Sequence, residues 1–142
     1  MDRMLLLFSH TLTENQKKDA HDTIGITEFT PLPHHLQDVW NNIPPTLPSI
    51  INHLDPIKKW MNKTAENGDI VLIQGDFGAV YVMVNYAFSI GAIPVYATTE
   101  KKSAEISMSA NTVKTERIFE HKIFRRYEQE GKDESSIGIS GQ

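Results

Sequence analysis

Apolar residues in this chain fall into short unbroken runs that alternate with longer segments of helical period. "RMLLLFS" (3–9) is the first run and reads as a buried strand, with "SHTLT" (9–13) as the loop after it. Thr13, Glu14, Asn15 and Gln16 fit a capping box. A polar helix therefore starts there, runs to about Asp22 and ends at Gly25. "ITEFTPL" (26–32) alternates as a second strand that closes at Pro31 and Pro33. A short helix over His34–Asn41 carries Leu36, Val39 and Trp40. "IPPTLP" (43–48) is a breaker, and 47–67 reads as helix with a kink or restart at Pro56.

"DIVLIQG" (69–75) is the third strand, and "FGAVYVMVNYAFSIG" (77–91) is the helix behind it, closed by Gly91 at a C′ position. "AIPVYATT" (92–99) is the fourth strand. Residues 100–111 read as a loop or a short turn of helix, and "VKTERIFEHKIFRRYE" (113–128) as a long strand with room for a bend. This order predicts an α/β fold: a Rossmann-like, mainly parallel sheet flanked by helices, in one domain over 1–128. Apolar runs without alternation agree, because parallel strands are covered on both faces. The polar, Gly/Ser-rich stretch 129–142 is expected to be a mobile tail.

Composition narrows the function classes. A chain of 142 residues with 39% apolar and 23% charged side chains is long enough for one core and is that of a soluble globular protein. It has no cysteine, which removes disulfides and thiolate zinc sites and suits a cytoplasmic location. The six histidines lack zinc-ligand spacing, so no metal or other cofactor is expected. The N-terminus lacks the features of a signal peptide, and the apolar stretch 77–95 is interrupted by Asn85, Gly91 and Pro94, so no membrane association is expected. A net charge of −4 argues against long nucleic acid as partner. Within 101–126, however, seven basic residues face three acidic ones, whereas 1–99 holds six basic and ten acidic. That suits a small anionic ligand, or simply a solvated strand face.

Ligands of open parallel sheets bind at the carboxyl ends of strands where the strand order reverses. Strands one and three are expected to be neighbours there, which would join "SHTLT" with "QGDFG" (74–78). Gly75 and Gly78 can take positive φ or admit a ligand to the backbone. Asp76 stands where a helix N-cap belongs, and an acidic residue there suits a ribose hydroxyl. The plain alternative is a glycine turn with an aspartate cap. Gly-Lys-Ser/Thr is absent, so this is no P-loop, and the kinase-like "DFG" lacks its partner motifs. His10 can act as acid or base near neutral pH, or can be an ordinary loop histidine. Thr98 and Thr99, with Lys101 and Lys102 behind them, suit phosphate. His121 is expected at the surface.

Together "LLLFSHTLT", "IQGDFGA", "IPVYATT" and "ERIFEHKIFRRYE" resemble the small stand-alone CRISPR-associated (Csx-type) ring nucleases of type III systems, over residues 3–128. The resemblance implies a fold akin to the CARF sensor domains and a homodimer that holds a cyclic oligoadenylate across its two-fold axis. It implies cleavage of that messenger, cyclic tetra-adenylate in particular, and so an end to antiviral signalling. Metal-free cleavage by 2′-hydroxyl attack would then place proton transfer on His10, and the gripping or deprotonation of the ribose hydroxyl on Asp76, as the two catalytic residues. Ser9, Thr11, Gly75 and Gly78 would hold phosphates or bases. Lys101 and Arg117 would meet phosphate, Phe77 would stack on adenine, and Gln74 would read a base edge. A binder that sequesters the same messenger without cutting it has the same sequence signature, and an unrelated nucleotide-binding domain is the third reading.

Overall fold

The computed structural model describes residues 2–131, with backbone alone at 104 and 106–108. Among these, the elements follow in the expected order: β1 (Arg3–Leu7), α1 (Glu14–Ile24), β2 (Glu28–Pro31), α2 (His34–Asn41), α3 (Ile51–Thr64), β3 (Ile70–Ile73), α4 (Phe77–Ser89), β4 (Ile93–Ser109) and β5 (Thr112–Arg126). The part of the expected tail beyond Gly131 lies outside the described residues. They form one five-stranded sheet in the order β2-β1-β3-β4-β5. β1 pairs in parallel with β2 and β3, and β3 with β4; only β5 is antiparallel. The fold is thus α/β, with a mainly parallel sheet between helical layers and a topology compatible with a Rossmann-like fold.

Each central strand feeds two cores. Leu5, Leu7, Val71 and Ile73 pack with Leu36, Trp40, Leu54, Ile57, Met83 and Ala87 from α2, α3 and α4. Met4 and Leu72 point the other way, onto Ala20 of α1 with Leu12, Ile26 and Val95. An unbroken apolar run is therefore required, because both parities are buried. Burial of each such side chain stabilises by about 1.5–3 kcal/mol. The layer assignment follows from chain direction. β1 to β2 steps one way across the sheet and every later parallel crossover steps the other, so right-handed connections put α1 alone on one face.

Local chemistry sets the ends. Gln16 N–H donates to Thr13 Oγ1 (3.1 Å) and Thr13 N–H to Gln16 Oε1 (2.9 Å), a closed capping box. Gly25 ends α1 in the left-handed region at φ 72°. At the amino edge of the sheet, Arg3 Nη2 donates to the buried Asp69 carboxylate at 2.6 Å. Glu66 N–H donates to the same carboxylate at 2.9 Å. Burial pushes the Asp69 carboxyl upward, but the Glu66 amide and the Arg3 guanidinium outweigh it and hold the group below the usual carboxylate range.

The largest departure from expectation is at residues 100–111, which are neither loop nor helix. β4 continues through them to Ser109, turns at Ala110 and Asn111, and returns as β5. Register along the whole length runs from Val95↔Arg126 to Ser109↔Thr112. Only Ile93–Val95 also pair with β3. The rest is a two-stranded ribbon that continues past the carboxyl edge of the sheet for about 40 Å, at roughly 3.3 Å per residue. Among the described residues, no helix is long and apolar enough to cross a membrane.

Candidate functional site

The loops after β1 and β3 leave the sheet side by side. Leu7 is the register partner of Ile73, and Gln74 N–H donates to Leu7 O at 3.0 Å. β1 is also where the strand order reverses, so the crevice above it is the ligand position expected of such a sheet. The β1 loop is pinned at its far end by Leu12, which is buried, and by the capping box at Thr13. Ser9, His10 and Thr11 between those anchors are exposed, and the His10 ring meets Phe8 edge-on at 5.5 Å between centroids.

α2 forms the floor beneath both loops. Gln37 Nε2 donates to Phe8 O at 2.8 Å, and Trp40 Nε1 donates to Gln74 O at 3.1 Å. Tyr127, beyond the last strand, donates from its hydroxyl to Ile73 O at 2.7 Å. None of these three is apparent as a site residue in the sequence. The available signal is the polar tip of a tryptophan or tyrosine, which finds a partner when the ring is buried.

Asp76 is the N-cap of α4, and its Oδ2 accepts from Ala79 N–H at 3.0 Å. Among the described residues its Oδ1 has no hydrogen-bond partner, nor do the amides of Phe77 and Gly78. Both α1 and α4 run antiparallel to the parallel strands, so two helix N-termini meet the crevice and favour negative charge there. Phe77 is 95% exposed beside them, a free ring at the mouth of the crevice.

Gly75 and Gly78 do not take positive φ, so freedom of backbone is not the reason for either. At Gly75 the reason is space, since a Cβ would stand 3.0 Å from Trp40 Nε1 and 3.1 Å from Cε2 and Cζ2. At Gly78 it would meet only Ile50 Cδ1, at 3.3 Å, and Asp76 Oδ2, at 3.5 Å. Gln74 uses its Oε1 to accept from Ala97 N–H at 2.7 Å, which ties the β3 loop to β4. Thr98 spends its hydroxyl on the bulge of the ribbon, donating to Ile123 O (3.2 Å) and accepting from Ile123 N–H (3.1 Å). Thr99 is exposed at the ribbon's base.

Lys101 and Arg117 are not beside Asp76. Lys101 is four residues beyond Ala97, about 13 Å along the ribbon, and Arg117, opposite Ser103, is roughly 20 Å along it. The basic stretch is also less positive than its sequence suggests. Lys102 lies 2.9 Å from Glu120, Lys122 lies 3.1 Å from Glu120 and 3.6 Å from Glu100, and Lys114 lies 3.6 Å from Glu116. Arg125 donates to Tyr96 Oη at 3.0 Å. His121 is buried rather than superficial. Its side chain is 5% exposed, and its Nε2 sits 2.7 Å from Asp19 Oδ2 on α1.

The family model described as "Uncharacterized protein MJ1673 family" matches residues 2–125. "Uncharacterized protein MJ1673" of Methanocaldococcus jannaschii is 46% identical over 127 residues, covering 89% of this chain and 98% of that protein. No solved structure matches the chain.

Proposed function

The chain belongs to the MJ1673 family, and we propose that its β1–β3 crevice binds a cyclic oligoadenylate, cyclic tetra-adenylate in particular, in the cytoplasm, and cleaves it. The observation that supports this reading is the meeting of the two loops at the reversal of strand order. The β1 loop brings an imidazole and two hydroxyls to this point, and the β3 loop beside it brings a half-free carboxylate, open helix amides and an exposed phenyl ring. That set fits an adenine nucleotide: phosphate on the amides, ribose at Asp76 Oδ1, and adenine on Phe77.

In the reaction, the ribose 2′-oxygen attacks the adjacent phosphorus as His10 takes the 2′-hydroxyl proton. The new O2′–P bond forms, the P–O5′ bond breaks, and the departing 5′-oxygen takes up one proton, returned from the His10 imidazolium directly or through water. The products are linear, with a 2′,3′-cyclic phosphate at one end and a 5′-hydroxyl at the other. In-line alignment and stabilised phosphate charge are the requirements, and the messenger would lose its cyclic form and its signal. By the resemblance to ring nucleases, two copies would share the ligand across a two-fold axis.

One observation favours a second reading, sequestration without cleavage. Asp76 Oδ2, Gln74 Oε1 and the Thr98 hydroxyl are each committed to holding the fold. Incubation with cyclic tetra-adenylate in excess chelator, followed by chromatography, separates the two. Linear products that vanish in His10→Ala support cleavage; tight binding with intact ligand establishes the sponge. A messenger that neither binds nor reacts removes both. Asp76→Asn is the companion variant, because an asparagine still caps α4 while the charge is lost.

A further inference from the structure

The ribbon raises a question of its own, since a lone two-stranded ribbon is marginal in water. Its base is anchored through His121 to Asp19, with Ile123 exposed beside the anchor, and beyond it the ribbon carries Val113, Ile118 and Phe119 exposed, with Phe119 at 66%. The two faces differ. Lys102 and Lys122 interlock with Glu100 and Glu120 on one face. The register puts Lys101 opposite Phe119 and Ser103 opposite Arg117 on the other. Among the described residues Lys101 and Arg117 have no carboxylate partner. This second face therefore joins Phe119 and Val113 to two cations, with Glu105 nearer the tip, while Ile118, opposite Lys102, lies on the first face.

A surface of matching chemistry lies along α4. Phe77, Tyr81 and Phe88 form one side of a groove of about 600 Å³, and Tyr127, Glu128 and Glu130 form the other. Tyr81 is 72% exposed on a helix that is apolar nearly all round, which marks an unfilled contact. The arm cannot reach the groove of its own chain. α4 descends from the carboxyl edge while the ribbon leaves that edge in the opposite direction.

We propose that the β4–β5 ribbon is an arm that docks on a second copy of this chain, with its Lys101–Arg117–Phe119 face in the groove along α4 of that copy. Charge complementarity singles out this partner. The arm face presents Lys101 and Arg117, and the charged residues lining the groove are Glu128 and Glu130, so the two surfaces of one chain are complementary between copies. The arm's length exceeds the radius of gyration of about 14 Å for a domain of this size, which gives it the reach. A two-fold arrangement then uses two arms and two grooves. The inference builds on the two-fold pair of the reading above and is independent of the messenger.

The chain has no cysteine, so engineered pairs can be read cleanly. Phe119→Cys and Tyr81→Cys proteins are mixed and mildly oxidised. A covalent heterodimer well above either self-linked dimer is expected. In analytical ultracentrifugation, Arg117→Glu with Phe119→Asp weakens self-association at least 100-fold, and adding Glu128→Lys with Glu130→Lys restores part of it. Unchanged circular dichroism confirms that these exposed positions leave the fold intact. A wild-type dimer indifferent to the arm changes, with no mixed disulfide, overturns the arm but leaves the two-fold pair standing. A wild-type chain that stays monomeric at every concentration overturns both.

Discussion

Gly75→Ala tests the floor of the crevice directly. The added methyl would lie 3.0–3.1 Å from three atoms of the Trp40 indole, where ordinary contacts are about 3.5–4.0 Å. Neither side yields cheaply. The indole is 2% exposed within the α2–α4 core, and its N–H is held by Gln74 O. Tilting it away weakens that hydrogen bond, while moving the loop pulls Asp76 from Ala79 N–H. Gly75 is not in the left-handed region, so no backbone strain adds to the cost. Overpacking of this kind costs about 1–3 kcal/mol. A chain of this length loses about 3 °C in melting temperature per kcal/mol, so a fall of roughly 3–10 °C is expected. The control is Gly78→Ala, three residues away. There the neighbour is the end of a flexible isoleucine, and alanine gains about 0.5–1 kcal/mol over glycine within a helix. Thermal melts by circular dichroism should thus show opposite signs at the two glycines. Equal or stabilising shifts at both would refute the claim that Trp40 dictates Gly75.

At the opposite edge, Asp69→Asn is expected to cost about 2–3 kcal/mol near neutral pH, through loss of a charged hydrogen bond to Arg3. Because the Asp69 carboxyl is held below its unfolded value of about 3.9, its contribution is present above that pH and lost as pH falls through the lower folded value. Urea melts across pH should show the difference between wild type and variant shrinking only on the acid side; a constant difference would refute the linkage. His121→Ala should loosen the ribbon's base, because Asp19 loses its cross-element partner and a cavity opens beside Phe124. Hydrogen exchange should rise within 99–101 and 118–123 while β1 and β3 stay protected; unchanged exchange there would remove His121 as the anchor.

How much of this was legible in the sequence depends on where each signal comes from. β1 and β3 could be read because both parities of each run are buried, which leaves an unbroken apolar string. The start of α1 and the cap at Asp76 could be read because capping is a matter of neighbours three residues apart. The adjacency of β1 and β3 followed from topology rules, and with it the pairing of the two loops. "EKKSAEISMS" gave no such signal. Its described side chains, at 100–103, 105 and 109, are all exposed, and its extended form comes from pairing with residues 112–120 across the hairpin. The burial of His121 depends on Asp19, 102 positions away. Gly75 could be marked as special, but its cause, the Trp40 ring, lies 35 positions earlier in the chain and only the fold brings them together.

The separation of Lys101 and Arg117 from Asp76 then acquires a meaning. Within one chain they stand about 13–20 Å along an arm that leads away from the crevice. The upper end of the α4 groove, however, is Phe77, which follows directly on Asp76. An arm docked in the groove of a second copy would bring its basic face to the mouth of that copy's crevice. The residues grouped by the sequence would meet in trans, and each site would draw on both chains. Mixing His10→Ala with Arg117→Glu protein separates this from an arrangement in cis. In trans, a mixed pair has one crevice with both residues intact, so a one-to-one mixture recovers roughly a quarter of wild-type cleavage from two inactive proteins. In cis every crevice in the mixture lacks one of the two residues, and no activity returns.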